Sequence, residues 1–154
     1  MLGLDSTRLI RLSTRRLYQI IFIIVTAGIV SSLYFQFFLG LQPCTLCIVQ
    51  RIFWIGQFII LAIPKITYKN RLEVGLILNI FSLLTALYQT YLQTIAKPGL
   101  SLTGWCDGQI VSCSTIQLRL FGILTIPMLS TIGSIVLTVL YITALKTKSS
   151  NTSP

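Results

Sequence analysis

The 154-residue chain has no histidine and only three acidic residues, Asp5, Glu73 and Asp107. Without histidine there is no Cys-His nucleophilic couple and no His-containing zinc site, which leaves a four-cysteine cluster among the common structural zinc arrangements. Charge of either sign is scarce: 10% of residues are charged, against 54% hydrophobic. No charged residue occurs between Arg16 and Arg51, and similar runs follow Glu73 and Arg119. This composition is that of a membrane protein, not of a soluble globular domain. Each run is long enough, at about 1.5 Å per residue, to cross about 30 Å of hydrocarbon.

Four spans account for the runs, at about 17–39, 46–64, 73–94 and 126–145. The expected fold is an all-α membrane protein, a four-transmembrane-helix bundle. The net charge of +9 does not form a nucleic-acid patch. Arg8, Arg11, Arg15 and Arg16 precede the first run, Lys65, Lys69 and Arg71 lie between the second and third, and Lys146 and Lys148 follow the last. The positive-inside bias puts all of these on the cytoplasmic side, with both termini. Residues 1–16 then form a basic cytoplasmic segment, 17–145 the transmembrane domain and 146–154 a cytoplasmic tail. Loops 40–46 and 95–125 face the opposite compartment. The first run is longer than the apolar core of a signal peptide and lacks a small-x-small cleavage site, so it is expected to stay as an anchor. Pro64 closes the second span, and Pro127 suits the first turn of the fourth, where a missing N–H matters least. Residues 114–125 suit the membrane interface; the alternative is a fourth span that begins near Leu118 and kinks at Pro127.

Polar residues within the spans recur at helical spacing. Asn79, Ser82, Ala86, Gln89 and Gln93 share one face of the third span, and Ser130, Ser134 and Thr138 recur every four residues in the fourth. Such stripes ordinarily face neighbouring helices. Gln89 and Gln93, near the outer end, could instead line a ligand pocket.

All four cysteines, Cys44, Cys47, Cys106 and Cys113, fall in or beside the two outer connections, where disulfides persist. Three readings are open for them. Zinc needs four thiolates, but only Cys44 and Cys47 have suitable spacing; Cys106 and Cys113 stand six residues apart. Structural disulfides are the second, although closing so small a loop as Cys44–Cys47 contributes only about 2 kcal/mol, against about 3 for a fifteen-residue loop. The third is redox exchange, since a tight CxxC is a weak staple and an apt exchanger. Cys47 lies near the start of the second span, where the positive end of the helix dipole acts on it.

Arg51, four residues after Cys47, lies on the same helix face one turn deeper. An arginine near membrane depth must be paired, hydrated or reaching toward headgroups. It is either an interfacial arginine that snorkels, or a fixed charge that stabilises a Cys47 thiolate and donates to a carbonyl oxygen of a lipid-soluble electron acceptor. On the redox reading, a dithiol at the outer membrane surface can be reoxidised by a quinone. Cys106 and Cys113, in the longer loop, can reach a soluble protein, so that the two pairs form a relay.

The segments PCTLCIVQR, GWCDGQIVSC and FGILTIPMLS together resemble the disulfide bond formation protein B family, DsbB, in particular its short-loop BdbC-like branch. The resemblance covers nearly the whole chain after Leu17. It implies a four-helix oxidoreductase of the bacterial cytoplasmic (inner) membrane, with its redox loops on the periplasmic or extracytoplasmic face. Such a protein oxidises a thioredoxin-like, DsbA-like thiol oxidase and passes electrons to ubiquinone or menaquinone. By matching position, it implies that Cys44 and Cys47 are the quinone-coupled pair, with Cys47 beside the quinone and Arg51 its polar neighbour. It further implies that Cys106 forms the mixed disulfide with the partner and that Cys113 is its internal mate. The short spacing of Cys106 and Cys113 departs from long-loop members and leaves the order of internal exchange open. Rival readings are a vitamin K epoxide reductase-like quinone reductase, against which the early CxxC speaks, and a non-enzymatic scaffold with two structural disulfides. No metal and no nucleic acid are expected.

Overall fold

The computed structural model describes the backbone of residues 3–94, 119–120 and 124–149, and the side chains of 15–94 and 125–147. It contains four long helices, α1 (Gly3–Phe37), α2 (Thr45–Ala62), α3 (Tyr68–Thr94) and α4 (Ile126–Ser149). A two-residue antiparallel pair, β1 (Arg119–Leu120) and β2 (Leu124–Thr125), precedes α4, with Arg119 opposite Thr125 and Leu120 opposite Leu124. Each helix contains a segment long and apolar enough to span a membrane, that of α1 being Arg15–Phe37.

All four expected spans are present, but α1, α3 and α4 each outrun theirs at one end. The first helix begins at Gly3, within the basic segment, and α3 begins at Tyr68, five residues before the expected start at 73. Apolar patterning marks where lipid begins; the helix continues wherever local interactions support it. At the start of α3 these include a bond from the Arg71 N–H to the Thr67 carbonyl (3.0 Å) and a Lys69–Glu73 pair one turn apart (3.5 Å). The second helix ends at Ala62, two residues ahead of Pro64, and α4 carries Pro127 as its second residue. With Arg119–Leu120 in a strand and α4 starting at Ile126, the fourth helix does not run back toward Leu118. Residues 114–118 and 121–123, the rest of the proposed interfacial segment, lie outside the described residues.

The helices pack in a ring: α1 on α2, α2 on α3, α3 on α4, and α4 back on α1. Their outer faces are apolar, with Ile23, Ile52, Phe81, Leu84, Ile132 and Val139 all exposed. Polar side chains point inward, and Gln57, Asn79, Ser82 and Ser134 are fully buried. This inside-out pattern follows from the solvent, because hydrocarbon gives helices no hydrophobic reason to associate and leaves hydrogen bonds and close packing to hold them. The two expected polar stripes meet here: Asn79 Nδ2 donates to the Ser134 carbonyl (2.9 Å) and to Thr138 Oγ1 (2.8 Å), tying α3 to α4. At the end near Pro64, Tyr18 donates to the Leu61 carbonyl, and Arg71 donates to Tyr18 Oη (3.0 Å), joining α1, α2 and α3. Between these layers α1 approaches α2 at Gly28, where a Cβ would come within 2.3 Å of the Trp54 ring.

Replacing Asn79 by leucine removes both of its bonds to α4 and is expected to lower stability by about 1 kcal/mol. Unfolding in mixed micelles checks this, with helical content before unfolding unchanged.

Candidate functional site

The CxxC pair is placed by the turn between α1 and α2. The first helix closes with Phe38 N–H on the Tyr34 carbonyl (2.9 Å), and Gly40 then takes a positive φ of 65° that reverses the chain. A side chain at that φ would be strained, so glycine suits the turn. Pro43 follows, and Cys44 is the N-cap of α2, extended at φ −74° and ψ 167°. Its carbonyl accepts the first helical bond, from Ile48 N–H (3.1 Å), yet its sulfur makes no capping bond. That leaves the sulfur facing Cys47, one turn into the helix, at an Sγ–Sγ distance of 2.8 Å. Both are free thiols in this structure. The hydrogen bond to Cys47, and after it burial, push the Cys44 thiol well above its ordinary range, so Cys44 keeps its proton and donates it toward Cys47.

The third helix supplies the other side of the pair. Gln89, 2% exposed, directs Nε2 to Cys44 Sγ at 3.2 Å and to Cys47 Sγ at 3.1 Å. Its Oε1 is buried with no hydrogen-bond partner among the described residues. Leu46 and Leu92 pack beside Cys44, with Cys47 and Tyr88 at the margin of that cluster.

Beside the sulfurs lies a cavity of about 390 Å³ with walls from all four helices and the α1–α2 turn. Cys44, Cys47, Arg51, Gln89 and Gln93 all line it. Cys44 is only 5% exposed and Cys47 partly so, and both border the cavity. The two expectations for the polar stripes therefore divide by depth. Asn79 and Thr138 are interhelical ties, whereas Gln89 and Gln93 line a pocket.

Arg51 does not snorkel away from the bundle. Its Nε donates to Ser32 Oγ (2.9 Å), its Nη1 to Gln36 Oε1 and its Nη2 to the Ser32 carbonyl (3.3 Å), all on α1. Every one of these acceptors is neutral, and no described carboxylate pairs with the guanidinium. A guanidinium offers five N–H donors, so two remain beyond these contacts at the wall of the cavity. The result is a fixed, unneutralised positive charge on the same cavity as the sulfurs.

Several lining residues were not anticipated from the sequence. Ser32 and Gln36 stand four apart within the first charge-free run, a polar pair at helical spacing that could have been read as one face. Gln50, three residues after Cys47, donates to Ser130 Oγ on α4 (2.5 Å). It belongs to a buried stripe along α2 of Leu46, Gln50, Trp54, Gln57 and Leu61. Trp54 lies against Gly28 on α1 and Gly133 on α4 and, with both, lines the cavity. Cys106 and Cys113, the second expected pair, lie outside the described residues.

A multi-pass membrane bundle whose second helix opens on a CxxC pair of thiols, beside a cavity also lined by an arginine, belongs to the class of membrane thiol–disulfide proteins. Comparison with known proteins gives the family: the model described as "Disulfide bond formation protein DsbB" matches residues 14–144, and the chain belongs to the DsbB family. A probable disulfide formation protein of Chlamydia caviae is 36% identical over 112 residues, covering 72% of this chain and 78% of the relative. That of Chlamydia muridarum is 35% identical over 124 residues, covering 79% and 86%. Probable disulfide formation protein C 2 of Bacillus cereus is 30% identical over 129 residues, covering 79% and 85%. No solved structure matches. The chain is thus a multi-pass membrane protein of disulfide formation, a family identity that points to oxidoreductase activity.

The unequal exposure of the two thiols has a measurable consequence. A small alkylating reagent is expected to modify Cys47 of the reduced protein before Cys44, because Cys44 is both more buried and held protonated. Peptide-resolved mass spectrometry over a time course checks the order.

Proposed function

We propose that the chain is a quinone-dependent protein thiol oxidase, which reoxidises a thioredoxin-like thiol oxidase outside the cytoplasm and passes the electrons into the membrane. The observation that carries this reading is the shared cavity: a dithiol, a guanidinium with two N–H to spare and a set of apolar walls converge on one space. Its volume of about 390 Å³ is within the range of small-molecule sites, about 300–1,000 Å³. A quinone fits the donor set, since its carbonyl oxygens need N–H donors and its ring needs apolar walls. Arg51 would donate to a carbonyl oxygen, and Trp54 and Ile29 would contribute apolar surface. When bound, the quinone supplies an acceptor for two electrons and two protons.

The chain's own residues do the rest. Both cysteines line the cavity; Cys47, the more exposed residue, would face the quinone, and Cys44 holds the proton until the pair closes. Closure of the Cys44–Cys47 disulfide releases two electrons and two protons. The pair is then reduced again by thiol exchange with Cys106 and Cys113, each exchange forming one S–S bond as another breaks through a mixed disulfide. A thiolate of the partner attacks Cys106 of the Cys106–Cys113 disulfide and releases Cys113 as a thiol; the partner's second cysteine then displaces Cys106, which leaves the partner oxidised and both Cys106 and Cys113 reduced. The basic residues that flank the helix ends support cytoplasmic termini, with the cysteine connections on the outer face of a bacterial cytoplasmic membrane.

Anaerobic mixing of the purified protein with a reduced thioredoxin-like partner and quinone, followed by quinone absorbance, tests the proposal. Loss of quinone absorbance in step with oxidation of the partner is expected. Unchanged quinone, with both cysteine pairs resistant to mild reductant, would indicate a structural scaffold instead. Cys44→Ala or Cys47→Ala is expected to abolish quinone reduction while Cys106 still captures the partner. Arg51→Ala is expected to reduce quinone turnover at least tenfold, about 1.4 kcal/mol, while leaving the fold intact; an unchanged dependence on quinone concentration would remove Arg51 from the mechanism.

A further inference from the structure

The two sulfurs share one hydrogen-bond donor. An amide nitrogen carries two N–H groups, and Gln89 Nε2 stands 3.2 Å from Cys44 Sγ and 3.1 Å from Cys47 Sγ, one N–H for each. The sulfurs also contact each other, at 2.8 Å. The amide is also locked in place, since Gln89 is 2% exposed and lies on the interior stripe of α3, one turn beyond fully buried Ala86.

The effect of such a donor depends on the oxidation state of its acceptors. Hydrogen bonds to a charged acceptor are about twice as strong as those to a neutral one, and burial strengthens the difference. A thiolate sulfur gains from an amide N–H; a disulfide sulfur, neutral and a weak acceptor, gains little. Gln89 therefore stabilises the reduced pair more than the oxidised one. We propose that Gln89 is a positioning residue that sets the oxidising strength of the Cys44–Cys47 pair, by holding its reduced form with one N–H on each sulfur. The inference rests on the reading of these cysteines as a redox pair. It assigns the tuning of that pair to α3, a helix that contributes no cysteine among the described residues.

The sign is fixed by the argument. Removing the donor destabilises the dithiol, so the pair becomes easier to oxidise and a weaker oxidant. The equilibrium that reads this is exchange with glutathione: the Cys44–Cys47 S–S bond forms as the S–S bond of glutathione disulfide breaks. The two electrons and two protons lost by the cysteines leave on two molecules of glutathione.

Full-length protein in detergent is equilibrated anaerobically across a range of glutathione ratios, then alkylated and analysed at the Cys44–Cys47 peptide by mass spectrometry. Two variants are compared with the wild type. Gln89→Leu removes the donor at similar volume, and Gln89→Glu keeps the length but removes the amide. In both, the equilibrium constant for oxidation by glutathione disulfide is expected to rise about tenfold, a midpoint about 30 mV more negative for a two-electron couple. Unfolding in mixed micelles verifies that each variant is folded, and the glutamate variant serves if the leucine variant is not. Folded variants whose midpoint coincides with the wild type would overturn the role of Gln89 and leave the redox reading standing. A wild-type pair that never converts between dithiol and disulfide across the range would overturn that reading itself.

Discussion

The site depends on one contact, that between the first turn of α2 and the C-terminal third of α3, where the Gln89 amide meets both sulfurs. The Gly40 turn and Pro43 deliver Cys44 to the N-cap of α2, and the helical repeat then brings Cys47 beside it. Neither feature alone makes a functional pair. The cysteines would be an exposed turn at the end of a helix if α3 did not close over them.

The forces that build the bundle also build the cavity. In hydrocarbon, helices associate through hydrogen bonds and close approach rather than through burial of apolar surface. Deep in the bundle those demands are met directly, by Asn79 on Ser134 and Thr138 and by Tyr141 on Gln57. Nearer the cysteines the same kinds of residue stand around a space. Gln50 is tied to Ser130, and Arg51 is held by Ser32 and Gln36. Three of the guanidinium N–H groups, on Ser32 and Gln36, orient the charge. The arginine is fixed by neutral oxygens and keeps its charge.

Much of this was legible in the sequence because lipid imposes simple rules. The charge-free runs after Arg16, Glu73 and Arg119 gave the spans, and the polar stripes identified the inward faces of α3 and α4. Helix ends were not legible from hydropathy. Gly3–Arg16 and Tyr68–Leu72 are helical although they lie outside the apolar runs. The CxxC and Arg51 were found from spacing alone, whereas the partners of Arg51 were not. Ser32 and Gln36 reach it only through the rotation of α1 about its axis, which is a tertiary property. Likewise, the stripe on α3 offered both interhelical ties and a pocket lined by Gln89 and Gln93, but not where along the helix the one gives way to the other.

The central claim is that the Cys44–Cys47 pair delivers its electrons to a quinone through the cavity. It is tested most directly by a single turnover without any thiol partner. Fully reduced, full-length protein in lipid vesicles is given one equivalent of quinone anaerobically, and the state of each cysteine is read by peptide-resolved alkylation. The account predicts that Cys44 and Cys47 become a disulfide as an equal amount of quinol forms. Thiols that persist at these two positions beside unreacted quinone would contradict it.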